Sequence, residues 1–296
     1  MKNKNYTSFD ISSLETKKIS NNHFNVDRFK GYLEKNPHIQ VTHKHSFYHM
    51  VFFTKGSGKH ILDFETYDIK EGIIYFMKPN QVHKWEFDEH VDGYVLNFTS
   101  TFLEQFFINP EVIAQFPFFN IFESNQVIEL DSDTQIRING LFEDIIKEVE
   151  NLSFCTPLVL STYLLQIFIF SSRQIQNPEN IPTKNSHHKI ILKKYLELIE
   201  IHFKTVKLPK EYAKMLHITP SQLNAITHEQ THVSAGQLIR DRVLLEAKRL
   251  LVNFDLNSTS IALELDFHDT SYFIKFFKKQ TGLTPEKFRK QYLSNG

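Results

Sequence analysis

A short stretch near the end of the chain, residues 258–289, limits most strongly what this sequence can fold into. Its apolar residues mark two short helices, the first through Ile261, Ala262 and Leu265 and the second through Phe273, Phe276 and Phe277. A polar and aromatic turn separates the helices, and Asp269 or Thr270 can cap the second one. The outer face of the second helix carries polar and basic side chains. Two short helices about a tight turn, the second presenting basic groups, are typical of a helix-turn-helix.

The length and charge of the chain suggest two domains with different partners. At 296 residues the chain can form two cores. Residues 1–186 contain 17 Lys and Arg against 23 Asp and Glu, a net charge of −6, whereas residues 187–296 contain 17 against 11, a net charge of +6. This asymmetry predicts that only the C-terminal half meets a polyanion. Chance clustering of solvated charges is the alternative.

Other features argue against several classes of protein. No uninterrupted apolar run reaches the ~18 residues of a membrane span, and the N-terminus has no secretory signal, so we expect a cytoplasmic protein without membrane association. Cys155 is the only cysteine, which excludes an intrachain disulfide and a thiolate metal cluster. A lone thiol and the lack of a glycine-rich phosphate loop give little support for catalysis, so we expect no enzyme.

The chain changes character along its length. Short apolar runs separated by turn signals over residues 39–98 predict antiparallel strands in a sandwich or small barrel, with a hairpin at Gly56-Ser57-Gly58. The pattern becomes helical after Thr99, and two longer helices follow between Asp131 and about Arg173. The second of these helices is apolar around most of its circumference, which suits a dimer interface or burial against its own barrel equally well.

A polar segment with two prolines, residues 171–188, predicts a linker. Beyond it the pattern is helical to the end of the chain. The predicted fold class is therefore α+β with two domains. An antiparallel β-barrel with flanking helices is expected over residues 1–170, and an all-α domain over residues 189–296.

The helical half repeats itself weakly at a spacing near 50 residues. Ala213 and Leu216 correspond to Ala262 and Leu265, and Ser221, Leu223, Ile226, Gln230 and Thr231 correspond to Ser271, Phe273, Phe276, Gln280 and Thr281. The repeat predicts a second helix-turn-helix, joined to the first through a helix over residues 236–253. Two such units on one body can enter successive major grooves, about 34 Å apart.

The run ALELDFHDTSYFIKFFKKQTGLTPEKFRK closely resembles the second helix-turn-helix of AraC/XylS-type transcriptional regulators. It follows the family pattern at nearly every position, including the S-[YH]-F at the start of the recognition helix. The run LHITPSQLNAITHEQTHVSAGQLIRDRVLLEAKRLL resembles the preceding half of the same domain. Asp266 and His232 stand where the family has glycine, and Asp tolerates the positive φ expected at the first of these positions. The resemblance implies binding to double-stranded promoter DNA and, in an activator, contact with RNA polymerase.

The resemblance and the repeat together imply a set of DNA-binding residues. They are Ser221, Gln222 and Asn224 in the first unit, Thr270, Ser271, Ile274 and Lys275 in the second, and Thr219 and Thr284 as phosphate contacts. Asn or Gln can pair with adenine and Lys can reach guanine, each giving about 1–3 kcal/mol of discrimination. Ala225 occupies the position that corresponds to Lys275, and the first recognition helix has no Lys or Arg. We therefore expect the second unit to carry more of the sequence discrimination.

Residues 41–98 resemble the cupin-type sensor domain found at the N-terminus of many AraC regulators. His43 and His45 share one face of a strand, His49 shares it if the strand continues, and His83 follows a later turn. Metal-binding cupins use His-x-His, a later Glu and a further His, but here a histidine stands at the Glu position. We interpret the four histidines as lining an effector pocket without a cofactor. An all-imidazole metal site is the lesser alternative.

The combined hypothesis is an AraC-type regulator, in the activator role, that responds to a small effector and forms a homodimer through the helices between residues 131 and 173. A metal-dependent cupin enzyme fused to a DNA-binding module is a competing hypothesis. A constitutive DNA binder whose barrel only supports dimerisation is another.

Overall fold

The computed structural model divides into two compact units, Thr7–Glu179 and Asn180–Gly296. It describes residues 8–16, 18–19, 23–88, 90–106, 113, 116–119, 125–175, 186–252 and 256–294. Of the predicted linker over residues 171–188, the middle part, residues 176–185, lies outside the described residues. The ends of that segment are helical, because one helix continues to Ile175 and the next begins at Ser186.

The first unit is built on antiparallel strands. In its described part the strands are β1 (Ser8–Phe9), β2 (Lys18–Ile19), β3 (Phe24–Arg28), β4 (His43–His45), β5 (Tyr48–Lys55), β6 (Gly58–Leu62), β7 (Glu65–Ile69), β8 (Ile73–Met77), β9 (Val82–Phe87), β10 (Asp92–Phe98) and β11 (Val127–Glu129). They form one sheet in the order β1-β4-β9-β6-β7 and a second in the order β11-β8-β5-β10-β3-β2. Neighbours are antiparallel except β1 and β4. The antiparallel strands are as predicted, but over the described ranges they make a sandwich of two open sheets and not a closed barrel.

The predicted hairpin at Gly56-Ser57-Gly58 is wrong, because β5 and β6 belong to different sheets. The chain crosses from one sheet to the other at these residues. Gly58 has φ +153°, and a Cβ atom there would lie 2.3 Å from the backbone oxygen of Glu86. The two glycines therefore mark a crossing where backbones approach closely, a feature that sequence patterns do not distinguish from a hairpin turn.

The central strands of the six-stranded sheet are buried on both faces. Along β5, Met50 and Phe52 point into a core shared with helices, whereas Val51 and Phe53 point into a core between the two sheets. The helices of this unit are α1 (Phe29–Lys35), α2 (Ser100–Glu104), α3 (Ser132–Glu150) and α4 (Thr156–Ile175). Double burial explains why β5 and β8 are continuous apolar runs in the sequence.

Helix α4 is long and apolar enough to cross a membrane by length and composition alone, and one such helix occurs in the described chain. Its Leu160, Leu164 and Phe168 are buried in the core beside the six-stranded sheet. It is therefore a packing helix of this unit. On α3, the side chains in this core are Ile138, Leu141, Phe142, Ile145 and Val149, whereas Ile136 is 73% exposed.

The second unit is helical in its described residues. Its helices are α5 (Ser186–His202), α6 (Pro209–Met215), α7 (Pro220–Thr231), α8 (Ala235–Leu251), α9 (Ser258–Glu264), α10 (Thr270–Thr281) and α11 (Pro285–Ser294). The predicted repeat is confirmed in the backbone: α6 and α7 form one helix-turn-helix, α9 and α10 form the other, and α8 connects them. The positive φ expected at Asp266 is present, +53°, and its counterpart His217 has φ +54°.

Candidate DNA-binding surface and buried histidine cluster

The two recognition helices, α7 and α10, end in the same way. The Thr231 hydroxyl donates to the backbone oxygen of Thr227 and accepts from the N–H of Val233. Thr281 makes the corresponding pair of bonds to Phe277 and Leu283. Because a threonine at the equivalent position ends both helices, the turn that connects each recognition helix to the following helix is the same.

Helix α10 exposes the residues that the sequence predicts for it. Phe273 and Phe277 are buried, and the ring of Phe267 from the turn packs 5.3 Å from that of Phe273. The helix begins at Asp269, whose carboxylate accepts from the N–H of Tyr272 at 2.7 Å, so Asp269 is the N-cap. The predicted DNA-contacting side chains of α10 lie outside this core, with Ser271 and Lys275 exposed and Thr270 and Ile274 half-buried.

Tyr272 is an exposed aromatic residue on α10 that the sequence reasoning did not assign to DNA. It is 60% exposed and lies in the first turn of the helix. The signal was present in the family pattern, which has Tyr or His at this position. A phenol there can donate a hydrogen bond to a phosphate or to a base edge.

Helix α7 uses one of its predicted base readers to hold its own N-terminus. The Thr219 hydroxyl accepts from the N–H of Gln222 at 3.1 Å, and Gln222 Oε1 accepts from the N–H of Thr219 at 2.9 Å. This reciprocal capping box satisfies two backbone donors at the helix start. Gln222 is exposed, but its carbonyl oxygen is engaged in the cap. Bidentate pairing with adenine therefore requires Gln222 to leave it.

Asn224 is also engaged inside the second unit. Its Oδ1 accepts from the N–H of Ala235, the first residue of α8, at 3.2 Å. Ser221 and Ala225 remain exposed beside it. The two predicted base readers Gln222 and Asn224 of α7 are thus both engaged in hydrogen bonds within the second unit.

Lys207 connects the two halves of the second unit. It lies between α5 and α6, and its Nζ donates to the backbone oxygens of Phe203 and Lys204. The same Nζ donates to the backbone oxygen of Leu265, at the end of α9, at 2.7 Å. Burial lowers the pKa of Lys207, and nearby Asp266 partly opposes this shift. One side chain therefore ties the start of the first helix-turn-helix to the turn of the second.

Thr284 caps α11, since its hydroxyl accepts from the N–H of Lys287 at 3.3 Å. Thr219 and Thr284, the two expected phosphate contacts, thus both stand at helix N-termini. Helix N-termini favour phosphate because their backbone N–H groups point outward.

The interior of the sandwich contains five buried histidines at one place. These are His43, His45, His49, His60 and His83, each at most 3% exposed. His43 pairs directly with His83 across β4 and β9. The structure thus brings the four predicted histidines together and adds His60 from β6. Alternation along β6 was the available signal, because His60 shares a face with the buried Leu62.

His49 belongs to the cluster, but it lies on a different strand, and in a different sheet, from His43 and His45. The predicted continuous strand is broken after His45, so that β4 lies in the five-stranded sheet and β5 in the six-stranded one. His49 consequently faces His45 from the opposite sheet, with the two rings stacked 4.8 Å apart. Its Nδ1 donates to Asn97 Oδ1, and the amide of Asn97 donates to Asn25 Oδ1 at 2.8 Å.

The ring nitrogens of three histidines converge. His45 Nε2 lies 3.1 Å from His43 Nε2 and 2.8 Å from His83 Nε2. The other nitrogen of His43 donates to the backbone oxygen of Val41 at 2.7 Å, and the other nitrogen of His83 lies 3.2 Å from His60 Nε2. One candidate ligand atom from each of His43, His45 and His83 falls within 4.8 Å of the other two.

Burial keeps these imidazoles neutral. It lowers the pKa of His43 to about 4, although the hydrogen bond to Val41 opposes the shift. It lowers the pKa of His49 to about 3 against the opposing bond to Asn97. For His45, His60 and His83, burial followed by repulsion from the neighbouring imidazoles lowers the pKa well below its usual value. The cluster therefore presents neutral lone pairs and N–H groups at neutral pH.

Aromatic residues surround the cluster. Trp85 stacks on His60 with ring centroids 3.5 Å apart, and Phe47 packs 4.5 Å from His45. His45 Nδ1 and His49 Nε2 are buried without a hydrogen-bond partner among the described residues. Such polar atoms are costly in a protein interior and point to an interaction that the chain alone does not supply.

Comparison with known proteins agrees with both units. Residues 33–168 match the model of the AraC-like ligand binding domain, and residues 212–291 match that of a helix-turn-helix domain. The chain is 20% identical over 255 residues to the HTH-type transcriptional activator RhaR of Mannheimia succiniciproducens, covering 85% of this chain and 87% of that protein. It is 20% identical to RhaR of Yersinia pseudotuberculosis serotype O:1b, with 86% of each chain covered.

Solved structures of similar proteins include ToxT from Vibrio cholerae O395, with a TM-score of 0.43, 16% identity, and coverage of 82% of this chain and 88% of that one. They also include ToxT from strain SCE256 with an unsaturated fatty acid bound, with a TM-score of 0.42, 14% identity, and coverage of 92% and 96%. The assignment to a family rests on the two domain models, which together span most of the chain. These domains, one that takes a ligand and one that binds DNA, make the chain a member of the AraC family of transcription regulators, a family of non-enzymes.

Proposed function

We propose that the buried histidine cluster is the effector site of this regulator. The observation that carries the proposal is the concentration of five histidines, with Asn25 and Asn97, in an otherwise apolar interior. Polar groups buried in this number reduce stability unless they are fully paired, and three of the ring nitrogens, His45 Nδ1, His49 Nε2 and His60 Nδ1, have no partner in the described structure. A site for a small effector explains both the burial and the incomplete pairing. The domain around it is cupin-like in its sequence motif, although its sheets stay open.

We also propose that α10 carries most of the discrimination between DNA sequences. Lys275 and Ser271 are exposed on it, whereas Gln222 and Asn224 of α7 are engaged in bonds within the unit. Ser221, Thr270 and Ile274 would add contacts to bases, and Thr219 and Thr284 contacts to phosphates. Positively charged Lys278 and Lys279 at the end of α10 are suited to the DNA backbone.

We propose further that the protein forms a homodimer and activates transcription. The outer side of α4 keeps apolar residues such as Leu158 exposed at 46%, which supports a homodimer through this region. The RhaR relatives are named as transcriptional activators, which supports activation of promoters through RNA polymerase. The DNA-binding domain would comprise residues 189–296, and the protein would act in the cytoplasm.

The test compares DNA binding by the full-length protein with its response to small molecules. At ~150 mM salt, where non-specific contacts weaken strongly, we expect binding to its own promoter region to exceed binding to random DNA by at least about a thousandfold. An effector identified by thermal shift should raise the melting temperature of the wild type, because it binds the native state. His49→Gln and His83→Gln should lose that shift. A shift that persists in both variants would place the effector elsewhere.

A further inference from the structure

The neutral histidine cluster has too few N–H protons to form a hydrogen bond at each of its short nitrogen–nitrogen contacts. His43 Nδ1 must carry a proton, since it faces the carbonyl of Val41, and a neutral His43 therefore has a lone pair at Nε2. His45 Nε2 then needs a proton to bond His43. That single proton also has to serve the contact to His83 Nε2, 2.8 Å away. Three Nε2 atoms thus meet with one proton between them, and His45 Nδ1 has no partner in the described residues.

The spacing of these atoms is close to that of ligands on one metal ion. Zn–N bonds of about 2.0–2.1 Å in tetrahedral geometry place neighbouring nitrogens about 3.3 Å apart. The two Nε2 contacts of His45, 3.1 and 2.8 Å, lie slightly below this value, and the candidate atoms of His43 and His83 lie within 4.8 Å of each other, so rotations of the rings would bring all three to one ion. Three lone pairs directed at one cation would replace the shared proton.

The surroundings support the histidines as ligands. The second nitrogen of His43 is held by the Val41 carbonyl, and that of His83 by His60. Such bonds to the second ring nitrogen fix the tautomer and orientation of ligating histidines. His49 contributes no atom to the converging set and remains beside it, oriented by Asn97.

We infer that the effector site binds one divalent transition-metal cation through Nε2 of His43, His45 and His83. Imidazole nitrogens without carboxylates suit Zn²⁺, Ni²⁺, Co²⁺ or Cu²⁺ better than Mg²⁺ or Ca²⁺, which prefer oxygen ligands. Three protein ligands leave a coordination position open, and the ring of His49, whose Nε2 has no partner among the described residues, lies 4.8 Å from that of His45. This inference rests on the proposed effector site and specifies the chemical class of its ligand, a divalent transition-metal cation.

The experiment uses full-length protein made without a histidine tag and freed of metal with a chelator. Addition of Co²⁺ should give one equivalent bound by elemental analysis after desalting, with the visible absorption of a low-coordinate Co–imidazole site. His45→Ala should abolish both signals. His60→Gln should keep the stoichiometry and weaken affinity about 10–100-fold, because it removes the imidazole that orients His83 and leaves the three ligands in place. His90→Gln, an exposed histidine of the same unit, should bind as the wild type does.

The outcomes separate this inference from the proposed function. Wild-type protein that takes up less than stoichiometric Co²⁺ and Zn²⁺, or His45→Ala protein that keeps its metal, would overturn the metal site. If an organic effector then still changes promoter binding and His49→Gln removes the response, the effector site itself stands. If metal binds but neither metal nor organic effectors alter affinity for the promoter, a regulatory role of the site is wrong although the cation site exists.

Discussion

The side-chain oxygen of Asn224 accepts a hydrogen bond from the N–H of Ala235, 3.2 Å away, and thereby links the first recognition helix to the start of α8. This bond occupies the atom that a base-reading asparagine needs. We expect Asn224→Ala to lower the free energy of unfolding of the second unit by about 1–2 kcal/mol. Asn224→Asp keeps the acceptor and places a negative charge at a helix N-terminus, so it should retain stability.

Thermal melts of the two Asn224 variants, with Ser221→Ala as an exposed control, would measure this difference. A fully stable Asn224→Ala protein that loses discrimination at a single base pair would show instead that Asn224 reads DNA directly.

Lys275 and Lys279 should affect DNA binding in different ways. Lys275 lies in the middle of the exposed face of α10, and Lys279 lies in its last turn. Lys275→Ala should cost about 1–3 kcal/mol at one base position and relax the preference there. Lys279→Ala should weaken binding to all sequences alike and reduce the salt slope by about one. Competition binding with single-base promoter variants over a range of salt concentrations distinguishes the two. Equal effects of both substitutions on every sequence would contradict the assignment of Lys275 to a base.

Lys207→Met should loosen the two helix-turn-helix units relative to each other. The change keeps the apolar stem but removes donors to three backbone oxygens, including that of Leu265 at 2.7 Å. We expect a loss of about 1–3 kcal/mol in stability. Affinity for the full DNA site should also fall more than affinity for the half recognised by α10 alone. Lys210→Met, at an exposed lysine nearby, is the control. Parallel losses on full and half sites would mean that Lys207 contributes to stability only.

Two glycine substitutions test the crossing between the sheets. Gly58→Ala places a Cβ atom 2.3 Å from the Glu86 backbone oxygen in a backbone with φ +153°, and should severely destabilise the first unit. Gly140→Ala lies within α3, where nothing occurs within 4 Å of the new atom, and should stabilise the same unit by about 0.5–1 kcal/mol. Circular dichroism during thermal unfolding would measure both. A tolerated Gly58→Ala would mean that the crossing can relax.

Local sequence patterns predicted helices and strands well where the spacing of apolar residues follows directly from the geometry of one helix or strand. The repeat placed both helix-turn-helix units, because the buried positions Leu223 and Phe273 and the turn positions His217 and Asp266 recur at matching offsets. The short apolar runs over residues 39–98 likewise predicted antiparallel strands, of which Ile73–Met77 is one. In these cases the spacing of apolar residues is set by the geometry of the element itself.

Long-range pairing was not predictable in the same way. Gly56 and Gly58 suit a hairpin and a crossing between sheets equally well, and only the partners of β5 and β6 distinguish them. Exposed Gln222 and Asn224 have the chemistry of base readers, but their engagement depends on Thr219 and on Ala235, the latter eleven residues away from Asn224. Four of the five clustered histidines were found from a motif, whereas His60 depends on the register of β6 against β9.

The stacking of Trp85 on His60 has a practical consequence. Trp85 is the only tryptophan in the chain, and its ring lies 3.5 Å from a histidine that in turn touches His83. Indole emission is quenched by a protonated or metal-bearing imidazole and shifts when its neighbours move. Tryptophan fluorescence of the unlabelled regulator, excited where tyrosine absorbs little, therefore reports from a single known point, next to the proposed effector site. The molecule carries its own optical probe for ligand screening, which can be used with promoter DNA present because DNA does not emit in this range.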